Sequence, residues 1–306
     1  VLTTHVALVG VTASGKSALA LELARRHPDL ELVSIDSMQV YRGMDIGTAK
    51  PTAAEQAEVP HHLIDIADPH EDFTVVRFQA AFSDVLAGIE ARGHRALLVG
   101  GTGLYLQAVI DGLSIPGRWP EVRAGLEKEA DAGIVALHER LAQLDPVAAA
   151  RMEPTNRRRV IRALEVTLGS GRPFSSFGPG LEAYPSTPYR LLGIALTVET
   201  VRRRIAERYA AQLAAGFLDE VRRLAARPEG LSRTARQALG YRELLATVEA
   251  GRSLDDAVEE AVNRTRQMAR RQRAWFRRDP RICWFSADDD PMTVLASMDD
   301  AIAGQT

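Results

Sequence analysis

The chain has 306 residues, 46% hydrophobic and 25% charged, with a formal net charge of −2. These are ordinary values for a soluble globular protein, and the length suits one large domain, or a core domain carrying a smaller one, that buries its core without covalent staples. The lone cysteine, Cys283, excludes an internal disulfide and a cysteine-based zinc site, and no apolar run is long enough for a membrane-spanning helix, which takes roughly 18 residues or more.

In chain order, "HVALVG" (5–10) is a short apolar, β-branched run that predicts a buried strand. "KSALALELARRHP" predicts a helix after it, stopped by Pro28. "ELVSID" (31–36) predicts a second strand of the same kind. "VVRFQAAFSDVLAGIEARG" carries apolar residues at helical spacing and closes at Gly93. "HRALLVGG" (94–101) predicts a third strand, and "TGLYLQAVIDGL" a helix directly behind it. Strand and helix alternate, which predicts an α/β core with a parallel sheet covered on both faces.

The pattern changes at "SIPGRWP" (114–120), where Gly117 and Pro120 mark a break. Helical spacing follows in "PEVRAGLEKEADAG", "IVALHERLAQLDP" and "PTNRRRVIRALEVTLGSG", and then a loop dense in Pro, Gly and Ser. "YRLLGIALT" (189–197) predicts a strand rejoining the sheet. The segment 199–225 repeats Val201, Ile205, Leu213, Phe217, Val221 and Leu224 at helical spacing. "SLDDAVEEAVNRTRQMARRQRAWFRRD" predicts a long basic helix and "RICWFSA" a final strand. The reading is a core made of 1–113 and 191–306, with a mostly helical insertion over 114–190. The start of the chain lacks the basic stretch and small-residue cleavage site of a signal peptide, so the expected location is the cytoplasm.

"GVTASGKS", Gly10 to Ser17, fits G-x-x-x-x-G-K-[ST] between a predicted strand and a predicted helix. In such a P-loop the backbone curls so that N–H groups point inward, and the helix N-terminus adds positive potential. Gly10, Thr12, Ala13, Ser14, Gly15, Lys16 and Ser17 are therefore candidate diphosphate-binding residues. Lys16 supplies a point charge, and the Ser17 hydroxyl would ligate Mg²⁺. The loop indicates a diphosphate or triphosphate and does not specify ATP, although with the first 30 residues alone a nucleotide kinase would be the default reading.

"SIDSMQVYRGMDIGTAKP" (34–51) begins at the end of the second predicted strand, so Asp36 projects at the carboxyl edge of the sheet, where ligands bind in open α/β folds. A carboxylate beside bound phosphates is a magnesium ligand or a base. "GGTGLYL" (100–106) follows the third strand and brings the Thr102 hydroxyl to the same edge, with glycines that leave room for a ligand at the backbone.

In this order, "GVTASGKS", "DSMQVYRGMDIGTAKP", "PHHLID" (60–65) and "GGTGLYL" resemble the tRNA dimethylallyltransferases, bacterial type. So do "RVIRALEV" (159–166), "ALGYREL" (238–244) and "RTRQMARRQRAWFRRD", and the resemblance runs from residue 6 to about 286. Val11 stands where the family often has Pro, and Met268 where an aromatic is common; neither position carries chemistry. The resemblance implies transfer of the dimethylallyl group of dimethylallyl diphosphate to the exocyclic N6 amine of the adenosine 3′-adjacent to the tRNA anticodon. A carbon group would then move, and the loop would hold the leaving diphosphate. A monomer with Mg²⁺ as its cofactor and the tRNA anticodon stem-loop as its partner is expected.

Within that reading Lys16 stabilises charge on the leaving group, Asp36 is the general base, and Thr102 orients the amine or the diphosphate. The adenine must be flipped out to reach them, and Asp36, Ser37, Met38, Gln39 and Thr102 would read it. Arg158, Arg159 and Arg162 cluster on one helix, with Arg158 and Arg162 sharing a face. They and Arg123 match tRNA-contacting positions of the family. The arginines of 264–278 are candidates for phosphate contact, while Trp275 and Phe276 read as the apolar stripe of a packed helix. His61 and His62 read as structural. Two other functions fit parts of the pattern: a P-loop kinase of a small molecule or nucleotide, whose Arg-rich lid the insertion imitates, and a non-catalytic RNA-binding module. Prenylation of a free adenine nucleotide is a further variant, against which the Arg-rich insertion favours a large RNA.

Overall fold

The computed structural model describes residues 4–178 and 180–304. The elements in chain order are β1 (Val6–Val9), α1 (Lys16–Arg26), β2 (Leu30–Ser34), α2 (Ala53–Glu58), β3 (His61–His62), α3 (Val75–Ala91), β4 (Arg95–Gly100) and α4 (Gly103–Ile110). Then come α5 (Pro120–Ala132), α6 (Ile134–Leu144), α7 (Pro146–Ala150) and α8 (Arg157–Ser170). β5 (Arg190–Ala195), α9 (Val198–Ala214), α10 (Phe217–Ala225), α11 (Arg233–Arg236), α12 (Tyr241–Ala250), α13 (Leu254–Phe276), β6 (Cys283–Ser286) and α14 (Leu295–Ala303) complete the chain.

The six strands form one sheet in the order β3-β2-β4-β1-β5-β6, every neighbouring pair parallel. β1 and β2 are buried along their whole length, which is why they read as continuous apolar runs rather than alternating ones. α1 packs on β2 and β4, α14 packs on α1, and α3 with α4 packs at β4. From β1 the chain first builds β2, β3 and β4 on one side and only later β5 and β6 on the other. The strand order thus reverses at β1, and a crevice opens at the carboxyl ends of strands at such a point.

Two compact units divide the chain, Val1–Asp111 with Ser186–Thr306, and Gly112–Pro185. The smaller unit closes its own core with Leu126, Leu137, Leu141, Val160, Ile161 and Leu164 from α5, α6 and α8. In the larger unit the helical run 199–225 is two helices, broken at Gly216. The histidine pair at 61–62 is a two-residue edge strand whose register sets His61 beside Leu32 and His62 beside Val33.

Glu31 is a charged group on a buried strand, only 2% exposed. Its carboxylate accepts from Arg92 Nε and Nη2 at 2.8 and 2.7 Å and meets His62 Nε2 at 2.6 Å and His94 Nδ1 at 2.8 Å. These bonds, led by Arg92, outweigh the cost of burial and hold its pKa down to about 2 against an ordinary 4.5. A carboxyl depressed in the folded state stabilises the fold above its ordinary pKa, and that contribution disappears as pH falls through the folded value. Thermal melts of the parent should therefore lose stability between about pH 4.5 and 2. Glu31→Gln should melt lower at neutral pH and show a flatter decline across that window; parallel curves for the two proteins would exclude Glu31 as the titrating group.

Candidate functional site at the carboxyl edge of the sheet

The 10–17 turn leaves β1 at the strand-order reversal and enters α1 at Lys16. Gly15 holds φ +84°, a left-handed backbone that turns the chain into the helix and that a side chain would strain. The first amides of α1 have no intrahelical carbonyl and face the turn with the positive end of the helix dipole. Thr12 is buried, and its Oγ1 accepts from Arg208 Nη1 at 3.2 Å. Ser14 is wholly buried, and its hydroxyl has no hydrogen-bond partner among the described residues.

Lys16 Nζ donates to the Val11 carbonyl at 3.3 Å. Burial pushes its pKa down to about 8; the Asp36 charge opposes that shift and Arg208 adds to it. Lys16, Asp36 and Arg208 thus share one electrostatic neighbourhood. Arg204, one turn before Arg208 on α9, donates from Nε to the Ala13 carbonyl at 3.0 Å. The loop is therefore faced by three cations, one local and two delivered from almost two hundred residues downstream, a charge suited to a linked pair of phosphates. Ser17 is exposed on the first turn of α1, and its hydroxyl has no hydrogen-bond partner among the described residues.

Asp36 stands two residues beyond β2. Its Oδ1 accepts the Met38 amide at 2.8 Å, an i to i+2 turn that fixes the carboxylate. The other carboxylate oxygen has no partner among the described residues. Thr102 is the N-cap of α4 and does not cap its own helix. Its Oγ1 instead accepts the Ser37 amide at 3.4 Å, so the ends of β2 and β4 meet through this hydroxyl. Ser37 and Met38 are half-buried beside it. Gln39 turns the other way. Ser34 Oγ donates to its Oε1 at 2.7 Å, and its Nε2 donates to the carbonyls of Thr48 and Ala49 at 3.2 Å each, so its amide serves the 34–51 segment itself.

That segment is a self-bonded framework. Tyr41 and Met44 are fully buried. Lys50, its side chain 3% exposed, donates to the Tyr41 carbonyl at 2.6 Å, to Asp45 at 2.6 Å and to Asp65 at 2.5 Å. From outside the segment, buried Glu220 of α10 accepts the amides of Asp45, Ile46 and Gly47 at 3.0, 2.8 and 3.2 Å. Tyr241, the tyrosine of "ALGYREL", donates its hydroxyl to the same carboxylate at 2.5 Å, and burial with that negative neighbour raises the phenol pKa. Arg208 Nη2 closes the circuit on the Gly47 carbonyl at 3.3 Å.

The glycines of "GGTG" make room, as their pattern predicts, but the space beside Gly101 and Gly103 is filled by α13. A Cβ at Gly101 would stand 2.5 Å from Gln272 Nε2, and one at Gly103 would overlap the Trp275 ring. Gln272 donates to the Gly101 carbonyl at 2.9 Å and accepts the Thr12 amide at 2.8 Å, so one side chain joins the third motif to the phosphate loop. Phe276 is buried at 2% exposure, and Trp275 packs on the same core.

In the smaller unit, Arg123 and Arg162 both bond buried Glu165, at 3.2 and 2.9 Å. Arg162 also donates to the Pro116 carbonyl at 2.7 Å. Arg158 and Arg159 are exposed, with no side-chain partner among the described residues. The cluster therefore splits into two inward and two outward arginines. His61 and His62 bond the Val59 carbonyl and Glu31. Arg204, Arg208, Gln272 and Glu220 are site residues that the sequence reading missed. Their one local signal is the four-residue spacing of Arg204 and Arg208, which puts both on one helix face.

The IPP transferase family profile matches residues 39–279, and an isopentenyl transferase profile matches residues 4–67. The chain is 48% identical over 279 residues to a tRNA dimethylallyltransferase of Geobacter metallireducens, covering 90% of each chain. It is similar in structure to the tRNA isopentenylpyrophosphate transferase of Bacillus halodurans, with TM-score 0.72, 38% identity, and coverage of 99% of this chain and 96% of that one. It is also similar to a eukaryotic dimethylallyltransferase acting on tRNA, with TM-score 0.76, 26% identity, and coverage of 98% and 76%.

Glu220 gives this site a direct test. Hydrogen bonds to a charged acceptor contribute about 1.5–3 kcal/mol each. Glu220→Gln removes the charge while keeping the shape, so the amides of Asp45, Ile46 and Gly47 should exchange with deuterium ~10-fold faster or more, following that energy. Unchanged protection at these three amides would show that the segment holds itself without α10.

Proposed function

The chain belongs to the IPP transferase family, and from that premise we propose that it transfers a dimethylallyl group from dimethylallyl diphosphate to the N6 amine of the adenosine 3′-adjacent to the anticodon of tRNA. The observation that carries the reading is the meeting of three motifs at one sheet edge. Thr102 accepts from Ser37, Asp36 keeps one carboxylate oxygen unbonded, and its charge is felt at Lys16 of the phosphate loop.

The chemistry asks for these groups. The allylic C–O bond breaks as positive charge grows on carbon and negative charge on the diphosphate. The amides at the start of α1, with Lys16, Arg204 and Arg208, offset that negative charge where it forms. The amine lone pair, weakened by conjugation with the purine, closes the new C–N bond. The free oxygen of Asp36 takes the proton that the amine sheds, and Thr102 orients the reacting groups by hydrogen bonding.

The residues also suit Mg²⁺. The Ser17 hydroxyl is exposed and unbonded, and no group of three or more His, Cys, Asp or Glu side chains among the described residues could hold a metal alone. Such sparse oxygen ligation, completed by phosphates and water, is the setting this ion prefers. When bound, it would add positive charge to the leaving diphosphate. Outward-facing Arg158 and Arg159 are suited to RNA phosphates, while Arg123 and Arg162 would first have to leave Glu165 to do so. The kinase alternative shares the phosphate loop, but the family profile and the relatives that match along the chain are prenyl-group transferases acting on tRNA.

Incubation with dimethylallyl diphosphate and bulk tRNA, followed by mass spectrometry of the nucleosides, should yield prenylated adenosine. Phosphorylated nucleosides from a parallel reaction with ATP, and none prenylated, would reverse the assignment. Lys16→Ala should lower turnover at least ~100-fold, the cost of one donor to a developing anion. Asp36→Ala should keep tRNA affinity while transfer falls by ~10²–10⁴, the usual worth of a general base. Loss of tRNA binding with intact single-turnover chemistry would remove Asp36 from that role.

A further inference from the structure

The segment behind β6 returns to the phosphate loop. The Ala287 amide donates to the Ala195 carbonyl at 3.0 Å, one step beyond the β5–β6 ladder. Asp288, Asp289 and Asp290 follow, then a single 3₁₀ turn, Pro291–Val294, and α14. Pro291 is buried against Gly15, the glycine that turns the loop into α1: a Cβ at Gly15 would stand 2.3 Å from Pro291 Cγ. Further on, Asp299 meets His27 Nε2 at 2.5 Å and Arg26 Nη1 at 3.2 Å. The segment thus runs alongside α1, from the residue before its first turn to its last turn and C-cap.

Asp288 and Asp289 are tied to α9. Thr200, buried near the start of that helix, donates its hydroxyl to the Asp288 carbonyl at 3.0 Å and shares it with Asp289 Oδ1 at 3.2 Å. Arg203 Nη2 donates to Asp289 Oδ1 at 2.5 Å. Arg204 Nη1 donates to the Asp289 carbonyl at 3.3 Å, while its Nε holds the Ala13 carbonyl at 3.0 Å. One aspartate therefore faces two neighbouring arginines with two different groups. Its carboxylate meets Arg203, and its neutral carbonyl meets Arg204. Asp290 Oδ1 turns instead to the Met292 amide at 2.9 Å. Arg204 is thus fixed from both sides by carbonyl oxygens, and no carboxylate offsets its charge among the described residues.

The physical need for such a contact lies in the loop. Gly15 holds φ +84° and has no side chain of its own to restrict it, so its neighbours must set its conformation. A proline ring suits this task, because it loses no rotamer freedom on burial. A loop held in its bound form beforehand gains affinity, since binding no longer has to order it. A cation aimed by neutral acceptors keeps its full charge for an anion.

We propose that residues 288–291 are a positioning clamp on the diphosphate cradle: the Pro291 ring holds Gly15 at the turn into α1, and the Asp289 carbonyl aims Arg204 at the loop. The proposal rests on the prenyl-transfer reading only for the identity of the diphosphate donor. Its test compares Pro291→Ala and Thr200→Val, with Asp299→Asn as a control that loosens the same segment at the far end of α1. Titration calorimetry measures binding of inorganic diphosphate, steady-state kinetics gives the KM for each substrate, and thermal melts report stability. Pro291→Ala should weaken inorganic diphosphate ~10-fold and raise the KM for dimethylallyl diphosphate by the same factor, the scale of the ordering cost that a pre-set loop avoids. Thr200→Val keeps the shape and removes the hydroxyl, and should act in the same direction by ~3-fold. In both variants the KM for tRNA should stay within ~2-fold, because the lost interaction concerns one substrate alone. Asp299→Asn should lower the melting temperature and leave diphosphate affinity unchanged. Parent-like diphosphate binding by Pro291→Ala and Thr200→Val would overturn the proposal, whatever their melting temperatures; if Pro291→Ala does not fold, Thr200→Val decides alone. Equal weakening by Asp299→Asn would overturn it too, by tracing the effect to general stability. If the parent transfers no prenyl group, the functional reading fails; the affinity for inorganic diphosphate still decides the clamp.

Discussion

One side chain ties the candidate site together. Gln272 accepts the Thr12 amide and donates to the Gly101 carbonyl, so the loop after β1 and the turn after β4 are held at fixed separation by α13. A neutral amide suits this task, because it offers a donor and an acceptor a few ångströms apart and adds no further charge to a loop already faced by Lys16, Arg204 and Arg208. The position of α13 then sets that of α9 through Tyr209 and Thr265. α9 in turn delivers Arg204 and Arg208 to the loop. The positive charge at the cradle is thus a consequence of helix packing, not of the loop sequence alone.

The second motif is positioned by buried charge. Lys50 gathers the Tyr41 carbonyl and two carboxylates inside the segment, and Glu220 gathers three amides and a tyrosine hydroxyl from outside it. Neither could be buried without such partners, since an unpaired charge in the interior is among the costliest defects a fold can carry. Each therefore enforces its own geometry: the loop closes around the lysine, and α10 with α12 locks onto the loop. This rigidity fixes Asp36, which is held only by a local turn to Met38, in front of the loop rather than in solvent.

What was legible in the sequence follows the range of the interactions. The phosphate loop could be read because its glycines, lysine and flanking elements are contiguous, and the sheet could be read because its strands are buried on both faces. Asp36 and Thr102 could be located because each follows a recognisable strand. Gln272, Arg204 and Arg208 could not, since their partners are about two hundred residues away and their local pattern is that of any basic helix. The glycines of the third motif show the same limit: their pattern announces a close approach, but only the fold reveals that Gln272 and Trp275 are what approaches. The arginines of α8 were legible as a cluster and opaque in direction, because Glu165, which turns Arg162 inward, also binds Arg123 from another helix. Gln39 was opaque for a related reason, as its partners Thr48 and Ala49 lie across an irregular loop.

The distribution of unpaired charge gives the larger unit a direction. Many arginines are matched to carboxylates, and Arg281, held by Asp111 and Asp279, is an example. Arg204 and Arg208 of α9 differ. They reach the Ala13 and Gly47 carbonyls and the Thr12 hydroxyl, so no carboxylate pairs with them among the described residues. Arg208 repels the Lys16 ammonium, and that repulsion helps burial to lower the lysine's pKa. An anion in the loop relieves it, so the charge that costs the empty loop stability is the charge that draws phosphate into it.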